Sequence, residues 1–354
     1  MVGDDSVDRA IFNALDKSGG IGGGTQRRVH LQVGFIGIGQ RIFGKEEMMR
    51  RNLAGHRQAG FLGLANHLEA LGRGDVLDVQ GEPDPEELVD AYMRYANALF
   101  CPPRPAEKTY RVRGTKEPFH TFNIIDVIMS VKEVAAVAAG YNATITEYLN
   151  SVLLYALLNK QHMDFHLKLY PVRIALPVNL RRFFPSKTLR NFITMVYPSI
   201  DPRLGNYTFE EIVTQVHNFM RYYINEKFLR GDITTNAATT RNPFIRVVPL
   251  FLKDIVVRTF YRKVQDKNSS AGLTNMGAMK VPEDMKPYID RFDIYMGQPF
   301  SSRTNCAIIS FEDTLTINFA SCIIEADVER YFFRKLVEDG IHVTIESNRT
   351  FDEE

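Results

Sequence analysis

The stretch from Arg173 to Pro198, RIALPVNLRRFFPSKTLRNFITMVYP, constrains the fold more than any other part of the chain. Val172, Ile174 and Leu176 alternate with Arg173 and Ala175, which is the period of a half-buried strand. Pro177 is expected to stop that strand. A basic, turn-rich segment follows, with Pro185 and Ser186 in it, and an apolar run from Phe192 to Tyr197 ends at Pro198. Strand, positively charged crossing, strand is the pattern, and a sheet of this kind needs a second layer to bury its apolar face.

The flanking sequence supplies that layer. Ser130-x-x-Glu133, Thr144-x-x-Glu147 and Thr208-x-x-Glu211 each have the spacing of a capping box, predicting helices from Ser130 to about Gly140, from Thr144 through Leu158 and from Thr208 to about Leu229. Pro85, with Asp84 before it and Glu86 and Glu87 after it, predicts a helix to about Leu99, ahead of Pro102 and Pro103. A further helix is expected over Pro243–Val264, and one over Val328–Asp339 closed by Gly340. Strands are expected at Thr109–Arg113, Thr121–Ile128, Ala271–Met276, Arg291–Met296, Cys306–Phe311, Leu315–Ala320 and Ile341–Glu346, with a hairpin turn at Glu312-Asp313-Thr314. The expected fold class is α/β, an α+β sandwich over 105–348 in which a mixed sheet is covered on one face by helices.

Residues 1–75 read differently. A short helix at Asp8–Lys17 precedes the glycine tract Gly19–Gly24, and a helix over Glu46–Leu71 is weakened by Gly55, Gly60 and Gly63. The organisation expected is an atypical glycine- and arginine-rich arm (1–75), a connector with one helix (76–104), the sandwich lobe (105–348) and a tail (349–354).

Net charge is +1, so no global field favours nucleic acid or an anionic membrane. Three widely spaced cysteines without a CxxC pair argue against a disulfide framework and fit a reducing cytoplasm. The acidic start MVGDDSVDRAIF has no apolar core of a signal peptide, and no apolar run approaches the ~20 residues of a membrane helix. A cytoplasmic protein without a membrane span is the expectation.

Several patterns have chemical readings. Gly39-QRIF-Gly44-Lys45, after a strand candidate at Leu31–Ile36, has most of a phosphate-binding loop. Glu46 stands where a hydroxyl should hold magnesium, and its charge would repel phosphates, so a glycine-rich arm is the better reading. His162-x-x-x-His166 with Asp164 has the spacing of two helical metal ligands, but no third ligand is identifiable and a surface loop explains it as well; no metal is expected. No G-x-S-x-G elbow is present. Arg181, Arg182, Lys187 and Arg190 read either as a contact for a phosphate-bearing ligand or as a solvated loop. Asn179, Arg181 and Asn191 suit pinning strand ends that line a cleft, or bracing the turn alone.

Taken in order, these motifs resemble the second lobe of the CoA-dependent acyltransferase superfamily. That superfamily includes chloramphenicol acetyltransferase, the condensation domains of peptide synthetases and alcohol acetyltransferases. Thr144–Leu158 is similar to its long Thr-x-x-Glu helix, PVNLR at 177–181 and RNF at 190–192 to its crossing segment, and LTNMG at 273–277 to its Ser-Asn-x-Gly strand end. The closest likeness is to bacterial alcohol-acetyltransferase-like members. The resemblance implies a chloramphenicol-acetyltransferase-like lobe, a tunnel lined by Asn179, Arg181, Asn191 and Asn275, and acyl-CoA as a cosubstrate with no resident cofactor. It also implies a small-molecule acyl donor and acceptor, and a second wall from a separate first lobe or a homo-oligomer.

The family's general base is the histidine of a His-x-x-x-Asp-Gly motif. None of the eight histidines here opens one; His30 begins HLQVG and His56 begins HRQAG. The catalytic residue is therefore unassigned. Two readings stand: an acyltransferase-like protein transferring an acyl group to an alcohol or amine, or a catalytically inactive lobe that binds a ligand or partner. Residues 1–75 then read as a divergent replacement of the first lobe or as the product of a truncated or disrupted gene.

Overall fold

Local capping chemistry sets the helical layer. The computed structural model describes residues 29–35 (strand trace only), 84–97, 108–118, 121–164, 168–241, 268–297 and 303–348. Thr144 Oγ1 accepts from the Glu147 amide at 3.3 Å while Glu147 Oε2 accepts from the Thr144 amide at 2.7 Å. This reciprocal box opens helix α3, Ile145–Met163; α1 is Ala91–Tyr95 and α2 is Val131–Gly140. Thr208 and Glu211 form the same box at the head of α4, Phe209–Tyr223. The third expected box is half made. Ser130 Oγ accepts from the Lys132 and Glu133 amides, but the Glu133 carboxylate turns away to the His342 amide at 3.0 Å. After α5 (Glu226–Arg241) comes α6, Asp327–Glu338, which ends in a Schellman turn: Ile341 N–H reaches Leu336 O, Gly340 N–H reaches Val337 O, and Gly340 has φ +85°.

The strands are β1 Val29–Phe35, β2 Asn123–Ser130, β3 Val172–Asn179, β4 Ile193–Val196, β5 Ser199–Ile200, β6 Ala271–Ala278, β7 Ile289–Met296, β8 Thr304–Phe311, β9 Thr314–Ser321 and β10 Thr344–Ser347. An eight-stranded mixed sheet runs β10-β2-β9-β8-β6-β3-β4, with β5 paired to β3. β3, β6 and β8 are parallel; the other pairs are antiparallel. Helices α3, α4 and α6 bury Leu149, Leu153, Ile212 and Phe332 against Ile174, Leu273, Cys306, Ile317 and Phe319 on one face of the sheet. This is the α/β sandwich, a mixed sheet covered by helices, that the sequence predicts.

Among the described residues the opposite face is covered only in part. β7 stands outside the main sheet, pairs in parallel with β1, and packs its Ile294 and Phe292 on Ala307, Ile309 and Phe311 of β8. A buried polar network fastens it down. Asn318 Nδ2 donates to Asp126 Oδ1 (2.7 Å) and Asp293 Oδ1 (3.2 Å), and Asn318 Oδ1 accepts from the Ile294 amide (2.9 Å). Arg291 bonds Asp293 Oδ2 through Nε (3.0 Å) and forks onto Glu346 of β10. Burial along the strands records the coverage. β8 and β9 are buried on both faces, whereas β3 and β4 alternate strictly between buried and half-buried residues.

Four expectations need correction. Pro177 does not stop β3, which runs on to Asn179. At that point β3 has passed its last partner on β6, Ala175 opposite Gly272, so the missing proline N–H breaks no ladder bond. No strand forms at Thr109–Arg113; the Tyr110 amide bonds Pro171 O, and only Lys116 bridges to Ile323. The helix expected from Thr208 to Leu229 breaks after Tyr223, and Asn225 Oδ1 accepts from the Phe228 amide to start α5. The helix expected over Pro85–Leu99 is two pieces, a 3-10 turn Pro85–Leu88 capped by Asp84 and then α1 capped by Asp90. In addition, α3 continues past Leu158 to Met163, which places His162 in its last turn. The expected helices at Asp8–Lys17, Glu46–Leu71 and Pro243–Val264, the loop at Gly39–Lys45, His166 and the tail at 349–354 lie outside the described residues.

Candidate functional site

Among the described residues, the step between the part of the sheet that β7 covers and the half-buried face of β3 and β4 makes a shelf. On β3 the residues turned away from the helices are Arg173, Ala175, Pro177 and Asn179, because Val172, Ile174, Leu176 and Val178 belong to the helical core. Register carries the same face onto Ile193 and Met195 of β4, which pair with Asn179 and Pro177. All of these are half-buried. The wall of the step is β6 and β7. Met276 packs into the β7 core, and Gly272 lies so close to it that a Cβ there would stand 3.5 Å from Met296 Cε and 2.8 Å from Asn305 Oδ1. The middle of the shelf, Ala175, Pro177, Ile193 and Met195, is apolar, between Arg173 at one end and a polar rim at its Asn179 end.

The crossing segment after β3 forms that rim. Asn179 Oδ1 accepts from the Arg181 amide at 3.0 Å and starts a 3-10 turn, Leu180–Arg182. Arg181 folds back over its own segment. Its Nη2 donates to Thr188 O at 2.7 Å and Arg190 O at 2.8 Å, with the guanidinium carbon 6.0 Å from the centre of the Phe192 ring. Lys187 bonds Asp84 at 3.0 Å, an exposed pair of small value. Arg182 is exposed and Arg190 half-buried, and neither side chain has an ion pair among the described residues.

The structure brings Asn179 and Arg181 together and separates them from Asn275. Asn275 shares the helical face of β6 with Ala271 and Leu273, donates to Thr146 Oγ1 of α3 at 2.8 Å, and accepts from the Gly277 amide at 2.8 Å. It joins the end of a parallel strand to the start of α3, on the far side of the sheet from the shelf. Asn191 is exposed at the entry to β4.

Sequence reasoning missed Tyr92 and Asn318. The Tyr92 hydroxyl bonds both Ile193 O and, at 3.1 Å, Ile193 N–H, so one side chain covers the outer edge of β4 at the shelf. Burial pushes its pKa up to about 12, against the opposing pull of the Ile193 hydrogen bond. Nothing in a tyrosine on a short helix marks it for that task. Asn318 had a signal: a lone amide in the middle of an apolar strand, Thr316-Ile317-Asn318-Phe319, needs partners when buried.

The histidines with described side chains all lie off the shelf. His162 is exposed at the end of α3 and His342 is exposed against Glu133. His217, on α4, has Nδ1 3.2 Å from Glu147 Oε1, the carboxylate that already caps α3. His30 is on β1, in register with Arg291 of β7.

No protein-family model matches the chain. No curated protein matches it either. Solved structures do. The epimerization domain from the third module of tyrocidine synthetase B is similar at 12% identity, covering 70% of this chain and 54% of that one, with a TM-score of 0.43. Trichothecene 15-O-acetyltransferase from Fusarium sporotrichioides is similar at 14% identity, over 65% of this chain and 49% of that one, with a TM-score of 0.43. Wax ester synthase/diacylglycerol acyltransferase from Marinobacter aquaeolei VT8 is similar at 11% identity, over 66% and 52%, with a TM-score of 0.38. These fall in the condensation-domain and CoA-dependent acyltransferase group that the sequence motifs resemble. The chain spans about half the length of each of these three solved chains. No helix among the described residues is long and apolar enough to cross a membrane.

Proposed function

We infer that this chain is an acyl-donor-binding lobe of the acyl-CoA-dependent acyltransferase type, serving transfer of an acyl group to an alcohol or amine. The observation that carries the reading is the one-sided burial of β3 and β4, an apolar shelf beside a basic crossing segment. An acyl-thioester arm is long and flexible, with two amides and a hydroxyl spaced along apolar carbon segments, and suits a shelf floored by Ala175, Pro177, Ile193 and Met195 between polar ends. The 3′-phosphate end of coenzyme A is strongly anionic, and Arg182 and Arg190 are the cations within the crossing segment that have no ion pair among the described residues. A shelf that the described residues leave open on one side needs a second wall. A separate first lobe or a second copy of this chain would supply it.

A second reading, a silent binding lobe, is favoured by one observation: none of His162, His217 and His342 lies on the shelf, so a general base has no described candidate there. Calorimetric titration with coenzyme A, paired with thioester release from acetyl-CoA in the presence of short alcohols, separates the readings. Binding with turnover that one histidine substitution abolishes supports the enzyme. Binding without turnover supports the silent lobe, and absence of both overturns the shelf as a coenzyme A site.

A further inference from the structure

On the helical side of the sheet, remote from the shelf, a pocket of about 370 Å³ opens between the C-terminal half of α3 and the turn that leads into α4. Its floor is Tyr155, Leu158 and Ile212, its side wall is Tyr207, and His162 and Asn206 stand at the rim. Among the described residues no aspartate, glutamate, lysine or arginine lines it.

The wall is built before any ligand arrives. Asp201 caps the 3-10 turn Pro202–Leu204 and is itself gripped by Arg203 through Nε (2.7 Å) and Nη2 (2.6 Å). Tyr207 donates its hydroxyl to Asp201 O at 3.2 Å, so its ring is fixed in place. Gly205 turns the chain at φ +131°, a conformation that L side chains rarely adopt. The Thr208–Glu211 box then locks the entry to α4, and Phe209 holds Tyr155 edge-on at 5.8 Å. By contrast, the His162 imidazole and the Asn206 amide make no hydrogen bond or ion pair among the described residues. A preformed concavity of this size, with two tyrosine rings in a mixed polar and apolar lining and idle hydrogen-bonding groups on His162 and Asn206, has the form of a small-molecule site.

From this geometry we propose that the pocket binds an uncharged planar aromatic molecule of one or two rings bearing a single hydrogen-bonding group. The rings of Tyr155 and Tyr207 supply edge and face contacts to such a ligand. The absence of charge in the lining disfavours an ionic one, since a desolvated ion would find no counter-charge. His162 and Asn206 answer the polar substituent.

The chain contains no tryptophan, so indole excited at the red edge of its absorption, where the 15 tyrosines absorb little, is a usable fluorescent probe. Indole titrated into the full chain is expected to show a saturable blue shift of its emission, reversed by competing phenol. The double variant His162→Ala, Asn206→Ala is expected to weaken the interaction about tenfold while its melting temperature stays at the wild-type value, because both side chains sit at the rim. A non-saturable response overturns the proposal. So does a saturable response that the double variant leaves unchanged.

Discussion

Arg181 of the crossing segment holds the carbonyl oxygen of Arg190 at 2.8 Å, so the two ends of that segment are tied by one guanidinium. The same nitrogen takes Thr188 O at 2.7 Å, and Thr188 Oγ1 in turn reaches Val89 O at 2.6 Å, which docks the segment on the connector. Removing the guanidinium strands two half-buried carbonyls. Arg181→Ala is therefore expected to lower stability by about 1–3 kcal/mol. Arg181→Lys keeps a donor but loses the planar contact over Phe192, and should recover part of the loss. Urea denaturation of the three proteins measures the order; equal midpoints would remove the brace from the account.

Asn318 is the junction on which the β7 ribbon hangs. Its side chain is fully buried and satisfies Asp126, Asp293 and the Ile294 amide together. Asn318→Leu leaves three polar groups short of a partner in a region with little water, at a cost of about 2–5 kcal/mol. Asn318→Asp should be at least as harmful, because it adds a third carboxylate. A calorimetric melt of each variant tests the ranking, and a Leu variant as stable as wild type would rule out the latch.

Asp126 gives that latch a pH signature. Burial raises its carboxyl above the ordinary 3.8, with Asp293 adding to the rise, while hydrogen bonds from Asn318 and Tyr295 oppose it. A carboxyl whose folded pKa is raised contributes stability that is complete below its unfolded value and is lost as pH climbs through the folded one. Asp126→Asn removes the charge; its amide oxygen still accepts from Asn318, while its NH2 donates to the Tyr295 hydroxyl oxygen, reversing that bond. The difference in stability, variant minus wild type, should thus grow from pH 3.8 upward and level off once wild-type Asp126 is ionised. A difference that stays flat from pH 3 to 8 would contradict this.

The Schellman turn after α6 requires its glycine. Gly340 holds φ +85° and has open space where a Cβ would go, so strain alone sets the cost of a side chain. Gly340→Ala is expected to cost about 1 kcal/mol, and Gly340→Asn less. Thermal melts resolve the pair.

If the crossing segment meets the phosphates of coenzyme A, the double variant Arg182→Ala, Arg190→Ala should weaken coenzyme A binding by about tenfold or more at low salt. The gap should narrow as salt rises. Dephospho-forms of the ligand should show a smaller effect. An unchanged affinity would leave these arginines as solvated surface.

Local signals were the legible ones. Thr144 with Glu147, Thr208 with Glu211, Asp84 before Pro85 and Gly340 each act within one helical turn, so residue type and spacing suffice to find them. Alternation marked most of the strands, but it cannot say which sheet a strand joins. β7 therefore read like its neighbours, although it stands outside the main sheet and covers its far face. Pro177 misled because its tolerance depends on where β6 stops pairing, a tertiary fact. At the site, Asn179 and Arg181 were visible as turn chemistry. That Asn275 faces the opposite side of the sheet is set by strand parity across β3 and β6, which no single motif encodes.

The pairing of β1 with β7 has a consequence for the order of assembly. β8 and β9 are joined by a two-residue turn at Glu312 and Asp313 and share a register of eight residues, a contact that closes almost no loop. β1 and β7 meet across most of the sequence, and the entropy of closing so long a loop is met before the contact returns anything. The hairpin therefore forms early and the ribbon late. In the interval β7, packed on Ala307, Ile309 and Phe311 from nearby in sequence, presents an unpaired strand edge, so the kinetic hazard of this protein, the surface on which nascent chains would stick to one another, is the edge that β1 finally seals.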